Sequence, residues 1–248
     1  MLKLTNISQL VSYQSASDTI QTMSNIEILI EEETIQEIGP TVNNADEIID
    51  CSGRLVTPGF VDPHTHPVFY KGREEEYTMR LAGASYQEIA ESGGGILSSI
   101  KDVRNASEDE LVERVKKRMT RFIKLGTTTV EAKSGYGLDT ESELKSLRVL
   151  NRANGDHPID IIPTFLGAHA FPPEFSDDPD GYVDLLCDEM IPAVGEQGIA
   201  QYCDVFCEKG YFSVEQSRRI LETGKTYGLI PRLHADEFEA SGAAELAA

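Results

Sequence analysis

Basic residues are scarce in this chain. Only 22 lysines and arginines stand against 42 aspartates and glutamates among 248 residues, a formal net charge of −20. A field of that sign repels phosphate backbones and argues against a nucleic-acid partner. Long apolar runs are missing as well: none approaches the ~18 residues a membrane span needs. The opening Met1-Leu2-Lys3-Leu4-Thr5 is too polar for a secretory signal. Cysteine is sparse and scattered, at positions 51, 187, 203 and 207, the usage of a reduced, intracellular protein. These absences predict a soluble, cytoplasmic protein with no membrane partner. The 40% hydrophobic and 26% charged residues fit one large domain or two small ones.

Two apparent motifs lack what they need. Gly93-Gly94-Gly95 is not followed by the Gly-Lys-Ser/Thr of a phosphate loop, so it reads as a turn near the mouth of a site. Cys203 and Cys207 flank a strand-like Asp204-Val205-Phe206. Four strand residues span ~13 Å, too far for both thiols to reach one metal.

What is present falls into two parts. Residues 1–57 carry no helix-period stretch. Ile26 to Ile30 and Ile35 to Ile38 are β-branched runs around a polar turn, which predicts a small N-terminal β module of sandwich type. Residues 58–248 alternate strand and helix. Ser107 with Glu110, Thr140 with Glu143, and Ser213 with Gln216 read as helix starts of the capping-box pattern. A helix over Tyr182 to Val194 must kink or end at Pro192. Strands are expected near 60, 130, 163, 205 and 232, giving about five βα units around a parallel sheet. A closed eight-stranded barrel takes about 250 residues by itself. The expectation is therefore an α/β fold holding only part of a (β/α)8 barrel, on a chain that stops inside its fifth helix.

Chemistry gathers at the predicted strand ends. His64 and His66 are two apart after the apolar run Leu55 to Val61, a spacing that turns both imidazoles to one face of a strand. Alone, such a pair is equally consistent with a solvent-facing strand end. However, His169 and His234 also follow predicted strands, as do Glu131, Lys133, Glu208, Asp236 and Glu237. His157 lies in a Gly-Asp-His-Pro turn and reads as exposed. In a parallel barrel the functional groups sit at strand C-termini. His64, His66 and His234 supply three neutral nitrogen ligands, the number a catalytic metal site uses, and Glu237 supplies a nearby carboxylate.

The stretch from Leu55 to His66 resembles the first-strand signature of the amidohydrolase superfamily. Further blocks narrow the resemblance to the imidazolonepropionase family: Gly126 to Gly137, Thr164 to Ala170, Asp204 to Gly210 and Leu233 to Phe238. The resemblance implies an amidohydrolase-type (β/α)8 barrel and one Zn(2+) or Fe(3+)/Fe(2+) ion. It implies hydrolysis of the cyclic amide of 4-imidazolone-5-propanoate to N-formimidoyl-L-glutamate in histidine degradation. Matched position by position, His64, His66 and His234 are metal ligands. Arg73, Tyr136, His169 and Glu237, joined by Tyr86, are substrate contacts, with His169 and Glu237 also catalytic. Lys133 is taken as structural or pocket-lining. The family precedent is a homodimer acting on a small-molecule anionic substrate. The pattern's sixth-strand histidine and eighth-strand aspartate are not found here, so a fragment inactive alone is expected. The alternatives are another cyclic amidase or deaminase of the superfamily, or a non-catalytic metal-binding remnant.

Overall fold

The computed structural model describes residues 1–85, 88–89 and 94–248, apart from the side chain of Leu97. Tyr86 and Gly93 lie outside the described residues. The chain divides into two compact units, Met1–Gly59 and Phe60–Ala248.

The first unit contains seven strands in two small sheets. β1 (Leu2–Ile7) pairs antiparallel with β4 (Ile26–Glu31) and parallel with β6 (Glu47–Asp50), and β4 turns back into β5 (Thr34–Gly39). The second sheet joins β2 (Gln9–Gln14) to β3 (Thr19–Met23) and β7 (Leu55–Val56). Its core is a modest cluster of Ile7, Leu10, Ile26, Ile28 and Cys51. Lys3 adds an ion pair to Glu27 at 2.7 Å.

The second unit is built on a five-stranded parallel half-barrel in the order β12-β11-β10-β9-β8. These strands are β8 (Phe60–Thr65), β9 (Thr127–Lys133), β10 (Asp160–Ala168), β11 (Tyr202–Cys207) and β12 (Ile230–Ala235). All five expected strands are present. The apolar run from Leu55 is not one strand, however. Pro58 has no N–H to give a ladder, and the chain breaks at Thr57 to Gly59, so that β7 and β8 join different sheets. Pro63 coincides with a second irregularity, a register shift between Asp62 and Thr65. There the Thr65 hydroxyl donates to the Glu131 carbonyl at 2.6 Å and pins the strand end that carries the histidines.

Helices follow the strands: α1 (Glu74–Leu81), α2 (Ile96–Asn105), α3 (Glu108–Lys124), α4 (Thr140–Asp156), α5 (Pro179–Leu185), α6 (Ile191–Gln197), α7 (Val214–Thr226) and α8 (Ala243–Ala247). The capping boxes at Ser107 and Ser213 form in full. The third does not. Asp139, not Thr140, caps α4, taking the Ser142 N–H at 2.8 Å, while Glu143 turns elsewhere. The predicted helix over Tyr182 to Val194 runs through a π-helical turn, Leu186–Met190, and Pro192 falls in the first turn of α6, where its missing N–H is not needed. α3 buries Leu111, Val115 and Met119 and α4 buries Leu147, Leu150 and Ala153 in one continuous core. Among the described residues no helix is long and apolar enough to cross a membrane.

Candidate metal centre and substrate cavity

Three imidazoles meet at the C-terminal ends of β8 and β12. The Nε2 atoms of His64 and His66 are 3.1 Å apart, and those of His66 and His234 are 3.3 Å apart. Ring nitrogens cannot all donate to one another. Ligands held ~2.1 Å from a shared cation in tetrahedral array lie ~3.4 Å apart, so the observed spacing suits a metal ion. One ligand atom from each ring lies within 4.8 Å of the others. Burial lowers the His66 pKa to about 2, with the neighbouring His169, His234 and His64 rings adding to the effect. Burial also lowers that of exposed His64. Both rings stay in the neutral form that binds metal.

His234 is the best supported of the three. It is only 9% exposed, and its Nδ1 donates to Asp204 Oδ1 at 3.1 Å. That bond fixes the ring and leaves Nε2 as the lone-pair atom, as in carboxylate–histidine–metal arrays. Burial tends to raise the Asp204 pKa, but the His234 hydrogen bond and the Lys133 ammonium hold it well below the usual carboxylate range. Lys133 has no exposed surface and lies 2.6 Å from Asp204 and 2.7 Å from Glu131. Thr164 donates to the same Glu131 oxygen. Four adjacent strands thus contribute to one buried polar network behind the histidine cluster.

A cavity of about 290 Å³ opens beside the three histidines and is also lined by Arg73, Tyr136, His169 and Glu237. His169 stacks on His66 with ring centroids 5.1 Å apart and stands 5.2 Å from the Tyr136 ring. Its Nδ1 donates to the Gly135 carbonyl at 2.8 Å, which leaves Nε2 as an acceptor. Burial brings its pKa down to about 3. Arg73 precedes α1, 3.7 Å from Glu76.

Several residues singled out in the sequence lie elsewhere or do structural work. Glu208 accepts the N–H of Lys209 at 2.9 Å and of Phe238 at 2.8 Å, tying the β11 and β12 loops together. Asp236 accepts the Ser241 N–H and hydroxyl ahead of α8. His157 is half-buried rather than exposed, with Nε2 3.2 Å from the Thr120 hydroxyl. Sequence reasoning gave no role to Asp204, placed Glu143 only in a helix cap, and passed over Arg80, which also lines the cavity. A lone aspartate inside the strand Cys203-Asp204-Val205-Phe206-Cys207 was the available signal, since buried charges are paired.

The half-barrel and its histidine cluster define an amidohydrolase-like α/β protein. Solved structures of that class superimpose on it: a 5-methylcytosine deaminase from Klebsiella pneumoniae with TM-score 0.65, 19% identity, and 98% of this chain and 54% of that one covered. A triazine hydrolase from Arthrobacter aurescens gives TM-score 0.64 and 15% identity, over 99% of this chain and 55% of that one. At such identities the likeness is one of fold. No family model matches the chain. Sequence gives a more particular kinship: the chain is a homologue of imidazolonepropionases. It is 56% identical over 200 residues to the imidazolonepropionase of Shouchella clausii, covering 81% of this chain and 45% of the relative. Those of Geobacillus kaustophilus and Thermoanaerobacter pseudethanolicus are 52% and 47% identical, each over 235 residues, covering 91% and 94% of this chain and 55% and 57% of the relative. The chain thus spans about half the length of the curated relatives it matches.

Proposed function

We propose that this chain carries the metal and substrate site of a hydrolase that opens the ring of 4-imidazolone-5-propanoate to give N-formimidoyl-L-glutamate, a step of histidine degradation in the cytoplasm. The observation that carries this reading is the convergence of His64, His66 and His234 at a cavity that Arg73, Tyr136, His169 and Glu237 line. The imidazolonepropionase homologues supply the substrate.

His64, His66 and His234 would hold a zinc or iron ion, because imidazole suits both. When bound, that ion supplies Lewis acidity toward the ring carbonyl and acidifies water. The chain's own residues do the rest. Arg73 clamps the propionate with its planar fork, and the Tyr136 hydroxyl adds a donor. A local cation of this kind is required, because a net charge of −20 otherwise repels an anion. His169, with Nδ1 occupied by the Gly135 carbonyl, offers Nε2 to a ring N–H. Glu237, exposed at the cavity, takes a proton from the attacking water and returns it to the departing ring nitrogen. In the balance, hydroxyl joins the carbonyl carbon, the C–N bond breaks, and the nitrogen gains the proton. Asp204 holds His234 and Lys133 holds Asp204 throughout.

The test is loss of imidazolone absorbance on incubation with the complete gene product. Turnover of this substrate, with none of dihydropyrimidines or purines, is the expected result. Turnover of a pyrimidine or purine in its place would reassign the chain to another amidohydrolase activity.

A further inference from the structure

The loop between β9 and α4 is held from two directions by charged side chains. Glu143 has no exposed surface. Its Oε2 accepts the Gly135 N–H at 2.9 Å, and its Oε1 accepts the N–H groups of Gly137 at 2.8 Å and Leu138 at 2.9 Å. From the other direction, Arg104 Nε donates to the Gly137 carbonyl at 2.7 Å, and Nη2 donates to the Leu138 carbonyl at 3.2 Å. The amides go to one side chain and the carbonyls to the other.

The enclosed backbone is one the chain would not hold unaided. Leu138 sits at φ 54° and Gly135 at φ 105°, in the left-handed region where a leucine is strained. Neither glycine beside Tyr136 tolerates a side chain. A Cβ on Gly135 would stand 2.8 Å from the Leu166 carbonyl oxygen and 3.0 Å from His169 Nδ1, and one on Gly137 would stand 2.5 Å from Ser142 Cβ. The loop therefore packs directly against the strand end that carries His169. Burial pushes the Glu143 pKa up while four hydrogen-bond donors pull against it. Burying a carboxyl costs stability unless hydrogen bonds offset it, and here those bonds go to this loop.

We infer that Glu143 and Arg104 are positioning residues for substrate recognition, which clamp the Gly135–Leu138 loop and so set the Tyr136 ring and the His169 Nδ1 partner in the cavity wall. They act through the backbone and touch neither the cation ligands nor the reacting atoms. The inference rests on the proposed substrate reading. It predicts loss of substrate affinity rather than loss of metal.

The test compares the complete gene product with its Glu143→Gln, Arg104→Gln and Tyr136→Phe variants, measuring KM and kcat for 4-imidazolone-5-propanoate and metal bound per chain. In Glu143→Gln an amide NH2 faces a backbone N–H, so the loop loses an acceptor and gains a repulsion. Glu143→Gln and Arg104→Gln are expected to raise KM about tenfold, as the loss of a buried hydrogen bond implies, with metal content unchanged. A merely structural role would lower the active fraction, and hence kcat, at constant KM. A folded Glu143→Gln protein with the parent KM overturns the inference, and if Tyr136→Phe still raises KM the substrate reading survives it. If Glu143→Gln does not fold, Arg104→Gln decides by the same KM readout. If the parent does not turn over this substrate, the substrate reading falls and the recognition role falls with it. Amide hydrogen exchange on the parent tests the clamp separately: freely exchanging amides at Gly135, Gly137 and Leu138 overturn it.

Discussion

The two units handle charge in opposite ways. In Met1–Gly59 the Lys3–Glu27 pair joins β1 to β4, the two inner strands of the four-stranded sheet. Isoleucines 20, 35, 38, 48 and 49 stay exposed around a small core. In Phe60–Ala248 the large core is accompanied by Lys133, Glu131, Asp204, His169 and His234 on or just after the barrel strands, all buried. Burying such groups stabilises a fold poorly, because desolvation consumes most of the Coulombic gain. The larger unit accepts that cost where the three histidine nitrogens of the candidate metal site meet. Hence the small unit's buried charge links two strands, and the large unit's buried charge gathers behind the histidine cluster.

Substitutions sharpen this contrast. The largest effect belongs to His66→Ala: it removes the ligand common to both short nitrogen contacts and should weaken metal binding roughly 100-fold or more, measured by competition with a chromophoric chelator. Lys133→Met comes next. It strands Glu131 and Asp204 without their cation and should cost about 3–5 kcal/mol in urea unfolding. Lys3→Met in the small unit should cost clearly less, and equal losses would erase the contrast. Asp204→Asn keeps the shape but weakens the hold on His234, and metal affinity should fall about tenfold.

A pH effect follows from His169. Its pKa in the fold is about 3 against 6.5 for the free group. Between those values the unfolded chain binds a proton that the native chain does not. Its contribution is therefore complete above pH ~6.5 and is lost on acidification at ~1.4 kcal/mol per pH unit. Chelator-treated protein followed by urea unfolding from pH 7 to 5 should show at least this slope, because His66, lowered to about 2, adds its own, and His169→Gln should remove the His169 share. The smallest effect is Lys209→Ala. Lys209 follows a barrel strand but its exposed ammonium pairs with exposed Glu239, so neither melting temperature nor metal binding should change.

How much of this was legible in the sequence depended on how local the interaction was. The five barrel strands, the caps at Ser107 and Ser213, and the histidines at strand ends follow patterns a few residues long. The Thr140–Glu143 pattern misled because it is also local. Asp139 makes the same bond one residue earlier, and the Glu143 carboxylate is drawn to loop amides five to eight residues away. The strand break at Pro58 was written in the chain but outweighed by the apolar run around it. Least legible was the network behind His234. Lys133 and Asp204 are 71 positions apart, and only the ordering of β9, β10, β11 and β12 in one sheet brings them together.

The most direct test is titration of zinc into the metal-stripped complete gene product, followed calorimetrically beside His66→Ala. Tight binding of one ion per chain, weakened roughly 100-fold or more in His66→Ala, is the predicted result. Absence of stoichiometric binding, or binding that survives His66→Ala unchanged, would contradict the assignment of the histidine cluster as a metal centre.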